Sequence, residues 1–407
     1  MSKRPYDVVI IGAGILGLAT ARELLGRHPG LRLLVLEKDA TIAGQQTGHN
    51  SGVMHAGIYY KAGSLKATLC TTGVRELFAY CEQRGIPVDR CGKVIVATDA
   101  EELPRLDDLY ARGLANGVPG LERISPERLR ELEPHATGIA ALWSPNTAIV
   151  DFRRVAAAYA EDVRAAGGAV VTSCAVRGIR VLPEGIRLAT SRGGLTTRAL
   201  ISCAGLQSDR LAIAAGAPAD SRIVPFRGDY YVLRPERRHL CRGLIYPVPD
   251  PALPFLGVHF TKRIDGAVWA GPNAVLAFAR EGYGRLDINL KDMAELATYP
   301  GFWRMASQQW RTGVDEIWRD FVKAAFVRAL QRYVPECTAA DLVPGPSGVR
   351  AQAVAASGAL ADDFLVYAAA NQVHVRNAPS PAATSSLAIA RLIADRAEQE
   401  CAVLQEA

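Results

Sequence analysis

The fold is decided near the start of the chain by the stretch Tyr6-Asp7-Val8-Val9-Ile10-Ile11-Gly12-Ala13-Gly14-Ile15-Leu16-Gly17. An apolar run ends in three closely spaced glycines, and a helical pattern of apolar residues follows at once. This order predicts a strand, a tight turn and a helix. In such a unit Gly12 permits the turn, Gly14 lets the backbone approach a pyrophosphate, and Gly17 lets helix and strand pack closely.

A second apolar run, 33–36, ends at Glu37 and Lys38. A carboxylate at the end of the second strand accepts hydrogen bonds from an adenosine ribose and repels a 2′-phosphate, which argues against NADP. The helix N-terminus behind Gly14 presents N–H groups and a positive dipole end to the phosphates. The pattern predicts dinucleotide binding and leaves FAD and NAD open. The expected contacts are Gly12, Gly14, Ile15, Gly17, Glu37 and Lys38.

Length and composition indicate a globular protein of about two domains, with 407 residues, of which 49% are hydrophobic and 22% charged. The net charge of +6 comes without a basic run, so no nucleic-acid groove is expected. The eight cysteines form no CxxC motif, which predicts free thiols in a reducing compartment and no metal site.

Neither secretion nor a membrane-spanning segment is expected. The first strand follows residues 1–4 directly, which leaves no room for a signal peptide before the cofactor motif. No run of eighteen apolar residues occurs, so a spanning helix is excluded and peripheral membrane contact stays open.

The polar, glycine-rich stretch 41–60 is too long for a simple turn, and ordered loops of this length are usually functional. Its small residues suit close approach to a flat ring, and Ser51 and Gly52 are expected to contact the cofactor. His55 lies in the same stretch. A neutral imidazole can take a hydroxyl proton near neutral pH, although a lone histidine is more often structural.

Two later strand ends also point to the cofactor. An apolar strand over 199–204 ends at Ala204 and Gly205, and Val176 follows an apolar run that begins at 167. Near the C-terminus a strand over 364–368 precedes Asn377-Ala378-Pro379-Ser380-Pro381-Ala382-Ala383-Thr384. We expect a helix to start after Pro379 and its dipole to favour negative charge on a reduced cofactor. Pro379, Ser380 and Thr384 are therefore further expected cofactor contacts.

The middle of the chain changes character. Short strands over 230–233, 255–260 and 268–270 predict an antiparallel sheet, and 289–333 is mainly helical. That helical region contains Trp303, Trp310 and Trp318, and packing on the protein's own core is favoured there over a membrane-surface role.

Arg350 is the candidate for binding a substrate carboxylate. It follows a Pro-Gly-Pro turn, and its guanidinium fork can clamp a carboxylate with two bonds, although an ordinary surface arginine is the alternative. His259, Arg227 and Arg280 are weaker candidates for a second carboxylate.

Taken together, segments along nearly the whole chain resemble the L-2-hydroxyglutarate oxidase or dehydrogenase family, which belongs to the D-amino-acid-oxidase-like FAD enzymes. The first segments are shared by many dinucleotide-binding proteins, whereas the middle and last ones are more specific. The segments are GAGILGLATARELL with the later LEK, HNSGVMHAGIYYKAGSLKATLC, LISCAGLQSDRLA, PFRGDYYVL, PFLGVHFTKRIDGAVWAGPNAVLAFAREGY, GVRAQAV and HVRNAPSPAATSSLAIA.

The resemblance implies noncovalent FAD rather than NAD, and oxidation of L-2-hydroxyglutarate to 2-oxoglutarate by hydride transfer from C2 to the flavin N5. It implies His55 as the catalytic base and Arg350 as the ligand of one substrate carboxylate, although Ala351 replaces the family's usual proline. For the second carboxylate, His259, Tyr60 and Lys66 stay open. Electrons are expected to pass to a membrane quinone chain or to oxygen.

The expected fold is mixed α/β: a Rossmann-type FAD-binding domain (1–88, 148–218 and 342–407) with an inserted antiparallel-sheet and helical substrate domain (89–147 and 219–341). The expected location is cytoplasmic, with peripheral contact at the inner face of the cell membrane left open. Two alternatives remain: an FAD-dependent amino-acid or amine oxidase or dehydrogenase of the same fold, and a flavin-binding protein without turnover.

Overall fold

A computed structural model describes residues 5–250 and 256–406. Within 311–321 it describes the helical backbone, but the burial of residues 313 and 318 only. Residue 255, the first residue of the strand expected over 255–260, lies outside the described residues. The strands are β1 (Tyr6–Ile11), β2 (Leu33–Leu36), β3 (Val53–Met54), β4 (Val88–Asp89), β5 (Lys93–Ala97), β6 (Glu122–Ile124), β7 (Ala140–Ser144), β8 (Ala148–Val150), β9 (Ala169–Val171), β10 (Val176–Leu182), β11 (Gly185–Thr190), β12 (Gly193–Ser202), β13 (Ser221–Leu233), β14 (Leu244–Pro247), β15 (His259–Lys262), β16 (Val268–Gly271), β17 (Val275–Leu276), β18 (Leu342–Ala355), β19 (Leu365–Ala369) and β20 (Gln372–Asn377).

The α-helices lie between these strands and at the C-terminus. They are α1 (Ile15–Arg27), α2 (Leu65–Gln83), α3 (Leu103–Ala115), α4 (Pro126–Leu132), α5 (Phe152–Ala165), α6 (Ser208–Ala214), α7 (Leu290–Ala297), α8 (Pro300–Phe321), α9 (Lys323–Gln331), α10 (Ser386–Glu400) and α11 (Ala402–Gln405).

The first sheet has a parallel part in the order β9-β2-β1-β12-β20. Within it Val8 of β1 pairs with both Leu33 and Ala199. Strand β1 is apolar without alternation because its inner residues are buried on both faces, as is usual in parallel sheets. Helix α1 packs against α5 and α10 on one of these faces. The predicted Rossmann-type unit is confirmed.

The N-terminal half of β12 extends this sheet in the antiparallel sense through β11 and β10. The strand expected over 199–204 is therefore part of a longer one that begins at Gly193. Strand β20, which the sequence did not indicate, lies on the other side of β12 and is buried throughout.

The second sheet follows the order β17-β13-β16-β15-β14-β5-β7-β6, with β18 paired to β13. All its pairs are antiparallel except that of β5 with β14. The mixed fold with an added antiparallel sheet is confirmed. Strand β18 lies at the start of the range 342–407, which the sequence assigned to the FAD-binding domain. It nevertheless pairs with β13 of the second sheet, where Ser221 lies opposite Ala355 and Leu233 lies opposite Leu342.

A small sheet of β3, β8 and β4 fixes the chain just before His55. Val53 pairs there with Ile149, and Met54 with Ala148. The residue after β3 is His55, so this sheet sets the position of the candidate base.

The helical region packs on the protein's core through residues such as Met305, Phe326 and Leu330, as the sequence favoured, but not through its three tryptophans. Trp303, Trp310 and Trp318 of α8 are each more than half exposed. The helix directs these side chains to solvent because its buried contacts come from other positions, such as Met305.

All eight cysteines are free in the structure. Among the helices of the described residues, none combines the length and the apolar character needed to cross a bilayer.

Candidate active site

The turn between β1 and α1 requires glycine at two positions. Gly12 has a φ of +102°, and a Cβ there would lie 2.5 Å from the main-chain oxygen of Cys203. A Cβ on Gly17 would lie 1.9 Å from the main-chain oxygen of Gly12. The end of β12 and the first turn of α1 therefore both pack directly against this turn.

Glu37 is buried at the end of β2. Its Oε2 accepts the N–H of Ala13 at 2.9 Å, and its Oε1 accepts the N–H of Asp39 at 3.0 Å. These bonds hold the carboxylate beside the glycine turn. The neighbouring Lys38 forms ion pairs with Asp39 at 2.8 Å and with Glu281 at 2.7 Å.

The loop 41–60 is ordered by side-chain bonds to its own backbone and to α1. The Thr47 hydroxyl accepts the N–H of Ile15 at 3.0 Å, at the N-terminus of α1. The Asn50 amide donates to the main-chain oxygen of Thr47 at 2.7 Å, and its carbonyl oxygen accepts the N–H of Gly52 at 2.8 Å. A Cβ on Gly52, whose φ is +75°, would lie 2.6 Å from Arg263.

The segment 378–385 forms turns, and α10 begins only at Ser386. The expected helix start after Pro379 is therefore wrong. The chain turns twice first, with Ala382 N–H bonded to the oxygen of Pro379 and Ser385 N–H to that of Pro381. Thr384 joins this segment to the other loop, because its hydroxyl accepts the N–H of His55 at 3.1 Å.

These segments enclose a cavity of about 700 Å³. His55 lines it, and Gly17, Gly52 and Pro379 do not. The other expected cofactor residues do line it, namely Gly12, Gly14, Ile15, Glu37, Lys38, Ser51, Val176, Ala204, Gly205, Ser380 and Thr384.

His55, Lys93 and His259 form a group of basic side chains next to this cavity, called the basic cluster below. The Lys93 Nζ lies 4.5 Å from the ring centroid of Tyr59 and 5.1 Å from that of Tyr246. The Tyr246 ring contacts the His259 ring at a centroid distance of 3.9 Å. The tyrosine rings therefore connect the members of the cluster.

Burial, together with the charges of Lys93 and His259, lowers the pKa of His55 to about 3. Burial also lowers the pKa of His259 to about 3, against the opposing effect of its hydrogen bond to the Gly257 oxygen. Both imidazoles are neutral at physiological pH. The His55 Nδ1 is buried and has no hydrogen-bond partner within the described residues, so it is available to accept a proton.

Arg350 is half-buried on β18. Its charge acts on two buried neighbours: it contributes to the low pKa of His259 after burial, and it opposes the rise that burial causes in the pKa of Tyr230. The charge of Arg350 therefore acts on the His259 ring, so these two candidate carboxylate ligands lie near each other.

The other candidate ligands of a second carboxylate are placed differently. Burial raises the pKa of the Tyr60 hydroxyl, and Ser380, a residue of the cavity wall, opposes that rise. Lys66 forms an ion pair with Asp362 at 2.9 Å. The weaker candidates Arg227 and Arg280 are buried in ion pairs of their own, with Asp229 and Asp209 respectively.

Sequence reasoning missed Thr47 and Lys93. Thr47 lies inside the loop that the sequence singled out, but nothing in the pattern distinguished it from its polar neighbours. Lys93 precedes the apolar run 94–97, and a lysine at a strand end ordinarily indicates the solvent-exposed end.

The residues around the cavity fit FAD. The volume lies within the range of about 300–1,000 Å³ found for ligand pockets. A glycine turn that excludes any Cβ, the N-terminus of α1 and the buried carboxylate of Glu37 all adjoin it. These are the groups that bind a pyrophosphate and a ribose.

Comparison with known proteins agrees with this fit. Residues 7–396 match the family described as FAD dependent oxidoreductase. The chain is 51% identical to L-2-hydroxyglutarate dehydrogenase, mitochondrial, of Nematostella vectensis, over 97% of this chain and 91% of that protein. It is 48% identical to the Homo sapiens protein of the same name, over 98% of this chain and 90% of that protein.

Among solved structures, the dithionite-reduced L-α-glycerophosphate oxidase of Mycoplasma pneumoniae with FAD bound aligns with a TM-score of 0.79. The alignment covers 97% of this chain and 95% of that one at 22% identity, which shows a shared fold. The chain therefore belongs to the FAD-dependent oxidoreductase family and, within it, to the L-2-hydroxyglutarate dehydrogenases.

Proposed function

We propose that this protein oxidises the C2 alcohol of L-2-hydroxyglutarate to 2-oxoglutarate, with noncovalent FAD. The observation that carries the proposal is the basic cluster. A histidine whose Nδ1 has no partner among the described residues lines the cavity beside a buried lysine and a second histidine. The names of the close relatives support the same substrate.

The residues proposed to hold FAD are those of the glycine turn, Glu37, the 41–52 loop, Ala204 and Gly205, and the 380–384 turn, which surround the cavity. FAD, when bound there, would supply the two-electron acceptor for the hydride that leaves substrate C2. The protein's own task is to bind the diacid, to orient C2 and to accept the hydroxyl proton.

Arg350 is proposed to clamp the C1 carboxylate through its guanidinium fork. His55 is proposed to take the hydroxyl proton on Nδ1 as the C2–H bond breaks, so that the alcohol becomes a ketone and the histidine becomes an imidazolium. Its neutral state in the free protein, which burial and the neighbouring charges maintain, prepares it for this role. A dianionic substrate offsets the positive charges around it.

The same charges disfavour the main alternative, oxidation of an amino acid or amine. A substrate ammonium would lie next to Lys93, and the protonated form of Lys93 would repel it, because like charges at short range repel. A flavin-binding role without turnover leaves the buried, unpartnered His55 Nδ1 without an explanation.

The two sheets are proposed to form separate units: a cofactor unit (1–88, 148–218 and 342–407) and a substrate unit (89–147 and 219–341). The basic cluster draws on both, since His55 follows β3 while Lys93 and His259 belong to the second sheet. Strand β18, which carries Arg350, lies in the chain range of the cofactor unit but pairs with β13 of the second sheet, and so links the two units.

We propose that electrons leave to a membrane quinone or to oxygen, and that the protein is cytoplasmic with peripheral contact at the inner face of the cell membrane. Trp303, Trp310 and Trp318 are 58%, 59% and 60% exposed. At 100° per residue they lie within an arc of about 80° on α8. Exposed tryptophans on one helix face suit the interface between lipid and water.

Turnover with a dye acceptor tests the proposal. The purified holoprotein is expected to reduce the dye with L-2-hydroxyglutarate and to release 2-oxoglutarate, identified by mass spectrometry. D-2-hydroxyglutarate, L-lactate and D- and L-amino acids are expected to react at least about 100-fold more slowly, since each lacks a correctly placed bond or charge. Faster turnover of any amino acid than of L-2-hydroxyglutarate would favour the alternative function, an amino-acid or amine oxidase or dehydrogenase.

A further inference from the structure

Lys93 is a buried lysine at the start of a central strand. It is 1% exposed, and β5 runs between β14 and β7. The register places Ile95 beside Tyr246, and Lys93, two residues earlier, projects from the same sheet face. Ile95 and Tyr246 share one apolar cluster with Val53 and Ile58, so this face packs against the segment that contains His55.

The Lys93 ammonium is surrounded by ring faces rather than by carboxylates. Tyr59 and Tyr246 lie within cation–π distance of its Nζ. It forms no ion pair or hydrogen bond with any residue in 5–250 or 256–406, apart from these ring contacts. Burying an unpaired charge is costly, so such a lysine indicates an anion that is supplied from outside.

Buried polar atoms beside Lys93 also lack partners. The hydroxyl of Tyr59 and the Nδ1 of His55 are buried without hydrogen bonds within the described part of the chain. A carboxylate near the Lys93 Nζ would accept from the Tyr59 hydroxyl, and the hydroxyl of the same molecule would donate to His55. The unsatisfied atoms thus match the two ends of a hydroxy acid.

The other cations near the site are engaged. Lys66 is paired with Asp362, Arg227 with Asp229 and Arg280 with Asp209. The proposed function already assigns Arg350 to the C1 carboxylate. Lys93 is therefore the best-placed cation for the other end of the substrate.

We propose that Lys93 binds the distal carboxylate of the substrate, with the Tyr59 hydroxyl as a second donor, and thereby selects 2-hydroxy diacids over 2-hydroxy monoacids. This inference rests on the proposed function and names the residue that sets its specificity.

The protonation of Lys93 supports the same role. Burial lowers the pKa of Lys93 to about 7, with a small opposing effect from Cys70. The other titratable groups that face it are His55, His259, Tyr59 and Tyr246. None of these is a carboxylate, so binding of a carboxylate raises the pKa of Lys93 and takes up a proton above pH 7.

The first test compares two substrates of similar length. L-2-Hydroxyglutarate carries the distal carboxylate, and L-2-hydroxybutyrate lacks it. In Lys93→Met the ratio of their kcat/KM values is expected to fall at least about 30-fold, because a buried charge pair is lost. The change is expected in KM for the diacid more than in kcat.

Lys323→Met is the matched control. Its Nζ also lies over a tyrosine ring, that of Tyr231 at 5.4 Å, but it donates to the main-chain oxygen of Leu342. This variant is expected to keep the wild-type ratio. A fall of the ratio in Lys66→Met instead of Lys93→Met would assign the distal carboxylate to Lys66 and overturn the proposal.

Binding of glutarate, which has both carboxylates and no hydroxyl to oxidise, gives a second readout. Glutarate is expected to perturb the flavin spectrum of the wild-type holoprotein, with proton uptake between pH 7 and 8.5 measured by calorimetry in two buffers. Glutarate that binds no more tightly than butyrate, which lacks the distal carboxylate, contradicts the proposal, even where Lys93→Met does not fold.

The two hypotheses fail in different ways. If L-2-hydroxyglutarate does not reduce the wild-type flavin, the proposed function fails. If it does, and Lys93→Met retains the wild-type preference for the diacid, only the role of Lys93 fails.

Discussion

At the scale of single residues, the environment of a side chain decides what it can do. His55 and Lys93 carry ordinary basic groups, but burial keeps the histidine neutral and lowers the pKa of the lysine to about 7. The sequence identified His55 through its glycine-rich loop. It did not identify Lys93, because only the tertiary structure covers the beginning of β5 and surrounds the ammonium with tyrosines.

His55→Asn is expected to lower kcat by about 10²–10⁴-fold while FAD stays bound, because the variant loses the proposed proton acceptor. Thr384 accepts from the main-chain N–H of residue 55, so the loop keeps its anchor in the variant. Stopped-flow reduction of the flavin measures the rate, and the ratio of absorbance at 450 and 280 nm measures the FAD content, at roughly one FAD per chain. Loss of FAD would assign His55 to the cofactor.

The pH profile of the wild type checks the same assignment. The folded pKa of His55 lies near 3, far below its ordinary value, so the base is already deprotonated at pH 5 and no acid limb is expected near pH 6.5. A limb at pH 6.5 that disappears in His55→Asn would contradict the low pKa of this residue.

At the scale of elements, apolar pattern and glycine spacing predicted β1, α1, β2 and the core of β12. The prediction failed where polar residues are buried. Strand β20 contains Gln372, His374 and Arg376, all at most 5% exposed, and this alternation is typical of a half-exposed strand or a loop. The start of α10 was misplaced because Pro379 and Pro381 resemble first-turn prolines, whereas here they form turns.

One buried ion pair ties α6 to the second sheet. Asp209 is 2% exposed, pairs with Arg280 and accepts the N–H of Ile223 from β13 at 3.0 Å. Arg280→Met is expected to lower the free energy of unfolding by about 3–5 kcal/mol, because it leaves a buried carboxylate unpaired. Urea denaturation of the holoprotein measures the change.

The exposed pair of Arg128 and Glu131 supplies the control, since Arg128→Met is expected to cost less than about 0.5 kcal/mol. Burial raises the pKa of Asp209, but the pairing with Arg280 and the hydrogen bonds from the N–H groups of Ile223 and Arg210 together outweigh burial, and the net pKa is lowered. The stability from this group is therefore complete above its unfolded pKa of about 4 and is lost as the pH falls further. If Arg280→Met and Arg128→Met lower the free energy of unfolding equally, the buried pair of Arg280 and Asp209 does not stabilise the fold as proposed.

At the scale of the whole molecule, the two sheets meet at the cavity, and the sequence predicted both sheets and the interleaved order of their segments. It did not predict that β18 belongs to the second sheet. Strand β18 follows the helical region and resembles the beginning of the C-terminal unit, but its long pairing with β13 places it in the second sheet. Pairing between strands more than a hundred residues apart leaves no local signal.

The exposed tryptophan face is a property of the whole surface. A variant with Trp303→Ser, Trp310→Ser and Trp318→Ser is expected to bind anionic liposomes at least about tenfold more weakly, which corresponds to losing roughly 60 Å² of buried apolar area. Co-sedimentation measures binding. Leu114→Ser, which changes a residue 51% exposed on α3, is expected to bind as the wild type does. If the triple variant binds liposomes as tightly as the wild type does, α8 does not contribute to membrane contact.

Anaerobic titration of the holoprotein tests the central claim most directly. One equivalent of L-2-hydroxyglutarate per flavin is expected to bleach the absorbance at about 450 nm and to yield 2-oxoglutarate, while the D isomer and amino acids leave the absorbance unchanged. Dithionite serves as the control that the flavin can be reduced. Bleaching by an amino acid, or no bleaching by L-2-hydroxyglutarate in protein that dithionite reduces, would contradict the account.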